Sequence, residues 1–191
     1  NLGFVSAYFV YRGGSAVLVD TGVAGSEDAI SEVLGDIGLG WDVVSDIVLT
    51  HRHGDHIGSI VPVASLAPDA TVHIGAGDID ALPELPGGPA SALSDGDVVF
   101  DLEVIETPGH TPGHISVLDT SAGILIAGDA LNNNSGQIAG SEPQYTSDET
   151  AATASVLKLA GFDYEIILCG HGEPILENGS AEVAALAKTL S

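Results

Sequence analysis

The stretch LTHRHGDHIGS (49–59) packs His51, His53, Asp55 and His56, three of the chain's seven histidines and an acid, into six consecutive positions. A helical reading fails, because residues two apart would point about 200° away from each other. Directly upstream, SDIVLT (45–50) reads as a short buried strand. At the end of an extended segment, residues i and i+2 share a face, so His51 and His53 can grip one cation there. Gly54 lets the chain turn sharply, which aims Asp55 and His56 at a second position nearby. A strand-to-loop junction is also where sites in α/β proteins usually lie. The plain alternative is a surface loop whose histidines only form hydrogen bonds. Three imidazoles and a carboxylate in one short run favour a metal or catalytic site over it.

The bulk composition narrows the partners. At 191 residues the chain reads as one domain spanning 1–191, able to bury a sizeable core. A 45% hydrophobic content argues against disorder despite a net charge of −23. Only 4 basic residues face 27 acids, a balance that repels phosphate backbones and speaks against nucleic acid. The same balance hints at an acidic surface suited to concentrated salt, a halophilic trait. The single cysteine, Cys169, forms no internal disulfide, and no apolar run reaches the roughly 20 residues of a membrane span. No signal peptide opens the chain, so the expectation is a cytoplasmic protein. The start on Asn1 without a methionine leaves a lost leader open.

Outward from the cluster, FVSAYFVYRGGSAVLVDTG reads as a hairpin turning at Gly13-Gly14. SEDAISEVLGDIG reads as a helix capped by Ser26, with Ile30, Val33, Leu34 and Ile37 on its apolar face. IGSIVPVASLA is expected to be a short helix disturbed by Pro62, and ATVHIG (70–75) a strand holding a structural His73. The segment 81–96, rich in proline and glycine, reads as a loop. Strands follow in VVFDLEVIETPG, HISVLDT and GILIAGDA, then a long polar loop at 131–147. A helix capped by Ser147 or Asp148, the strand YEIILCG and a closing helix SAEVAALAKTL complete the chain. Two mixed sheets flanked by helices, an α/β four-layer αββα sandwich, suit this pattern.

Three later motifs each set a polar residue at a glycine-framed strand end: TPGHTPGH (107–114), AGDA (127–130) and CGHG (169–172). Taken in order with THRHGDH and the early VDTG (19–22), they resemble the metallo-β-lactamase superfamily, in particular its glyoxalase II-like hydrolases. The likeness runs from about residue 4 to about residue 175. It implies that His51, His53 and His110 bind a first metal, that Asp55, His56 and His171 bind a second, and that Asp129 bridges them. Two zinc ions are the implied cofactors, with iron or manganese as the other fitting metals. Asp20 would brace the motif loop from behind. His114 is a candidate for supporting the ligands or meeting substrate, against a plainly structural role. Tyr145 is a candidate oxyanion donor, against a solvent-facing loop residue. Cys169 reads as a small buried thiol.

The implied reaction is hydrolysis of an ester, thioester, lactone or β-lactam by a metal-bound hydroxide, with Asp55 and Asp129 as the catalytic carboxylates. The alternatives are a persulfide dioxygenase using one iron, and a catalytically silent metal-binding scaffold. The family's double glycine is Gly58-Ser59 here. Glyoxalase II's C-terminal helical domain finds no counterpart after His171, which turns the expectation away from glutathione thioesters. The expected partner is a small-molecule substrate, with no nucleic acid and no membrane, and a homodimer is left open.

Overall fold

In the computed structural model, residues 2–134 and 136–190 are described. The chain divides into two compact units, Asn1–Leu93 and Ser94–Ser191. The first is built on a five-stranded sheet in the order β1-β2-β3-β4-β5. Its strands are β1 (Tyr8–Arg12), β2 (Ser15–Val19), β3 (Val44–Leu49), β4 (Thr71–Gly75) and β5 (Ser91–Leu93). β1 and β2 form the expected antiparallel hairpin, with Arg12 opposite Ser15 across Gly13-Gly14, and β2 to β5 run parallel. Parallel strands buried on both faces need continuous apolar runs, which AVLV and DIVL supply. Leu18, Ile47, Leu49 and Ile74 are fully buried and pack with Leu34 and Ile60 from the helices.

Those helices are α1 (Glu27–Asp36), the single turn α2 (Gly54–Ile57) and α3 (Ile60–Leu66). In α1 only Ile30 and Leu34 of the expected apolar face are buried, while Val33 and Ile37 are more than half exposed. The buried stripe is therefore narrower than the sequence pattern. Ser26 occupies the N-cap without a side-chain cap bond. Pro62 does not disturb its helix. It stands in the first turn of α3, where its missing N–H belongs to the unbonded donors of any helix start. The expected loop 81–96 contains β5, and a 3-10 helix (Ala76–Ala81) leads into it.

The second unit carries another mixed sheet, ordered β12-β9-β8-β7-β6. Its strands are β6 (Val98–Val99), β7 (Leu102–Glu106), β8 (Ile115–Asp119), β9 (Ile124–Gly128) and β12 (Ile166–Cys169). β6 to β9 are antiparallel in turn, and β12 lies parallel to β9. Within the expected polar loop 131–147, β10 (Leu131–Asn132) and β11 (Ala139–Gly140) pair as a small ribbon. α4 (Glu149–Leu159) is capped by Asp148, whose carboxylate accepts the N–H groups of Thr150 and Ala151, and α5 (Gly179–Leu190) closes the chain. Ile105, Leu118, Leu125, Leu131, Leu159 and Ile167 form its core. Among the described residues no helix is long and apolar enough to cross a membrane.

Candidate metal centre

Strand direction gathers the polar residues of the first unit. β2, β3 and β4 are parallel, so their carboxyl ends fall at one edge of the sheet. Asp20 follows β2, His51 follows β3, and Asp78 lies in the 3-10 turn after β4. The ring of His51 is 4.8 Å from that of His53 and 4.1 Å from that of His56, centroid to centroid. His51 and His56 are fully buried, while His53 and Asp55 are half-buried. Thus i, i+2 and i+5 of one short segment face each other, as the extended-then-turn reading requires.

Asp20 fixes the chemistry of this half. Its residue adopts a positive φ of 63°, which turns the carboxylate in under the motif loop. Oδ1 accepts the Thr50 N–H at 2.8 Å, and Oδ2 accepts the Thr50 hydroxyl at 2.8 Å and His56 Nδ1–H at 2.8 Å. Because the Thr50 hydroxyl donates to Asp20, its oxygen must accept from His51 Nδ1, 3.1 Å away. One carboxylate therefore sets both imidazoles to the Nδ1–H tautomer, and Nε2 is the atom through which each would bind a metal. A second buried carboxylate, Asp78, accepts the Arg52 N–H at 3.2 Å and stands 3.7 Å from Arg52 Nε. It pins the peptide between His51 and His53.

Backbone bonds hold the turn. Thr21 N–H and its hydroxyl both donate to the His56 carbonyl, and Gly58 N–H donates to that of Gly22. Any Cβ on Gly58 would lie 2.4 Å from Ala24 N and 2.6 Å from Val23 C, so only glycine fits. Ser59, in place of the family's second glycine, is fully buried. Its oxygen accepts the Ser26 N–H, and its single proton is shared between the Val23 carbonyl and the Glu27 carboxylate. Main-chain hydrogen bonding, with help from Ser59, holds the Glu27 carboxyl below its ordinary range. Ser59 thereby ties α1 to the motif loop.

In the second unit the same directional logic applies. β7 and β9 run in the same direction, with β8 antiparallel between them, and β12 is parallel to β9. The loop after β7 carries His110, the turn after β9 carries Asp129, and the loop after β12 carries His171, all at one sheet end. Asp129 Oδ2 stands 3.4 Å from His110 Nε2 and 3.2 Å from His171 Nε2. His110 and Asp129 are buried and His171 half-buried. Gly172, with φ +89°, crosses so close to Asn133 that a Cβ would meet its carbonyl carbon at 2.4 Å. That contact and the Asn133 N–H to His171 carbonyl bond hold the His171 loop in place.

The remaining candidates resolve as follows. His114 is buried and accepts the Asp129 N–H at Nε2, 3.0 Å away, so it meets a site residue through its main chain. His73 is bonded to Asp46 at 2.8 Å inside the sheet and is structural. Tyr145 ends the 3-10 turn Pro143–Tyr145 and is 62% exposed, facing solvent. Cys169 is fully buried, and burial, with the Asp129 charge added, pushes its thiol up to about 12. Asp78, Thr50 and Thr107 are supporting residues the sequence reading passed over. For Asp78 a signal existed, since IGAGD repeats the glycine-framed strand end of IAGD.

Comparison with known proteins identifies the family. The family model of the metallo-β-lactamase superfamily matches residues 1–171. A probable metallo-hydrolase of Bacillus subtilis, YflN, is 32% identical, covering 93% of this chain and 83% of its own. The hydroxyacylglutathione hydrolase of Fuscovulum blasticum is 37% identical over 69% of this chain, which spans about half (49%) of that enzyme. Among solved structures, TTHA1623 in a di-iron-bound form is 28% identical, with a TM-score of 0.73 over 88% of this chain and 87% of that one. The two mixed sheets with their helices are those of the αβ sandwich expected from the sequence. By sequence and by fold, the chain belongs to the metallo-β-lactamase superfamily, among its metal-dependent hydrolases.

Proposed function

We propose that the two half-sites act as one binuclear centre, and that the protein hydrolyses an ester, thioester, lactone or β-lactam bond of a small-molecule substrate. In this reading His51, His53 and His110 hold one cation, Asp55, His56 and His171 the other, and Asp129 is shared between them. The observation that carries it is the donor set: five imidazoles and two carboxylates, with His51 and His56 locked in the tautomer that leaves Nε2 to donate a lone pair. Two zinc ions suit that set, and the di-iron form of TTHA1623 supports iron as the other fitting metal. When bound, such a pair supplies Lewis acidity to the scissile carbonyl and lowers the pKa of water towards about 7. Asp55, half-buried on the turn after His53, orients the attacking water, takes its proton and passes it to the leaving group. Asp20 and Asp78 keep the histidine segment from shifting as charge develops. The relationship to a hydroxyacylglutathione hydrolase favours the thioester within this group of bonds.

Protein produced without metal bias is expected to carry two equivalents of metal and to turn over at least one of a nitrophenyl ester, a thioester, a lactone or a cephalosporin. The variant Asp129→Asn should lose metal content and at least roughly a hundredfold in rate together, more than the loss typical of a residue behind the ligands. Full occupancy with an unchanged rate would contradict the assignment. One iron per chain with oxygen consumption would move the protein to the dioxygenase branch.

A further inference from the structure

The motif TPGHTPGH offers two histidines four residues apart, and they meet Asp129 at different atoms. His110 stands beside Oδ2, whereas His114 takes the Asp129 main-chain N–H at 3.0 Å. The other nitrogen of His114, Nδ1, is 2.8 Å from Thr107 Oγ1. Thr107 Oγ1 is 3.0 Å from Ser116 Oγ, and Ser116 donates to the Ala127 carbonyl at 3.0 Å. His114, Thr107 and Ser116 are each at most 1% exposed.

The polarity of this relay is forced from both ends. A carbonyl only accepts, so Ser116 gives its proton to Ala127 and must accept from Thr107. Thr107 then accepts from His114 Nδ1–H, and Nε2 is left with a lone pair. From the far end, a peptide N–H only donates, so Nε2 must be the unprotonated nitrogen. Both ends give the same tautomer. The relay also starts and finishes in one turn, leaving at Ala127 and returning at Asp129 across Gly128, whose φ is +53°. On the opposite side of Asp129, Ser141 donates to its carbonyl at 2.7 Å.

We infer that His114 is a positioning residue that fixes the peptide of Asp129, and so aims its carboxylate, through a single enforced tautomer. The inference rests on the reading of Asp129 as the shared metal ligand, and goes beyond it by assigning the second motif histidine. The physical reason is that Asp129 sits after a glycine in a turn and has one short side chain. Rotation of the Gly128–Asp129 peptide by a few tens of degrees would swing Oδ2 away from His110 and His171.

The test uses metal-free full-length protein titrated with zinc against a chromophoric chelator. Wild type should take two equivalents, and a failure there would count against the metal reading itself and not against the role of His114. His114→Gln keeps an acceptor at the reach of Nε2, and should bind zinc within about threefold of wild type. His114→Asn keeps a donor towards Thr107 but falls short of the Asp129 N–H, and should lose about tenfold or more. Both variants lose one buried hydrogen bond, so both should melt at lower temperature by similar amounts. A merely structural histidine predicts equal zinc affinities for the two variants, and that result overturns the proposal, as does a reversed order. If neither variant folds, the nitrogen spectrum of metal-free wild type decides instead. The His114 ring must show the Nδ1–H tautomer, and an Nε2–H ring would end the proposal.

Discussion

The polar clusters of the two units hold their side chains in place by different means. Residues 51–56 form one continuous segment, and outside carboxylates brace it: Asp20 from the end of β2 and Asp78 from beyond β4. His110, Asp129 and His171 come from three separate strand ends, and the last two are braced through their main chain: the Asp129 N–H and carbonyl are both bonded, and the His171 carbonyl accepts the Asn133 N–H. A contiguous cluster of large imidazoles cannot satisfy its own ring nitrogens, so it needs side-chain acceptors from elsewhere. A scattered set places one polar side chain per loop, and fixing each loop's backbone is enough. The first half should therefore be sensitive to loss of a carboxylate, and the second to changes that let a backbone turn.

The strongest way to break this contrast is Asp20→Ala. The change leaves the Thr50 N–H, the Thr50 hydroxyl and His56 Nδ1–H without their acceptor in a fully buried position. Each orphaned donor costs about 1–3 kcal/mol, so a loss of at least about 3 kcal/mol is expected by urea denaturation. Both tautomers are released as well, and the metal content should fall with the stability. If Asp20→Ala unfolds at the wild-type urea concentration, the first half does not depend on its carboxylate brace.

How legible each half was in the sequence follows from the same difference. The segment 51–56 is legible because polar side chains close in sequence are close in space whatever the fold. His110, Asp129 and His171 were visible only as an ordered series of glycine-framed strand ends and through family likeness, because the β7, β9 and β12 directions that unite them are tertiary facts. The hairpin of β6 and β7 turns at Phe100-Asp101, both with positive φ, without the Gly or Asn that normally marks such a turn. β5 hides in a proline-rich segment because it adds only three residues to an existing edge. Val33 and Ile37 kept a helical period yet lie outside the core, since period tells which face is apolar and not how wide a stripe its neighbours cover. His114 could be recognised as a site neighbour, but contact through a backbone N–H has no sequence signature.

A milder change sharpens what a buried His–Asp pair does when it stands away from any ligand. His73 and Asp46 meet at 2.8 Å, the same distance as His56 and Asp20, and His73 is 9% exposed. Asp46 is also bonded by Ser45, so it keeps a partner if the histidine goes. His73→Gln retains a donor of similar reach, and the expected cost is about 1 kcal/mol, read from chemical denaturation. Turnover of the best substrate in a hydrolase panel should stay within about twofold of wild type. A hundredfold loss with folding preserved would make this pair part of the function and dissolve the distinction from His56 and Asp20.

The smallest effect is expected at the outermost brace of the second half, where Asp95 and Lys158 clasp the end of β7. Lys158 Nζ bonds the Asp95 carboxylate and donates to the Glu106 carbonyl at 2.9 Å, while Asp95 accepts the Glu106 N–H at 2.8 Å. The peptide they hold leads directly into Thr107 and the His110 loop. Lys158 keeps the Asp95 carboxyl below its ordinary range, chiefly by its hydrogen bond. A lowered value in the folded state means that the pair stabilises the fold above the ordinary carboxyl pKa and loses that contribution as pH falls through it. Yet the Asp95 side chain is half exposed and that of Lys158 is 36% exposed, so solvent screening should leave no more than about 1 kcal/mol at neutral pH. Asp95→Asn should therefore lower stability by less than about 1 kcal/mol at pH 7, with the gap to wild type closing towards pH 3 and shrinking in molar salt. Zinc affinity should be unchanged, because the relay through Thr107 is anchored at Ala127 and Asp129 and not at Glu106. A loss of metal binding in Asp95→Asn that rivals Asp20→Ala would mean that the second half, too, hangs on a carboxylate.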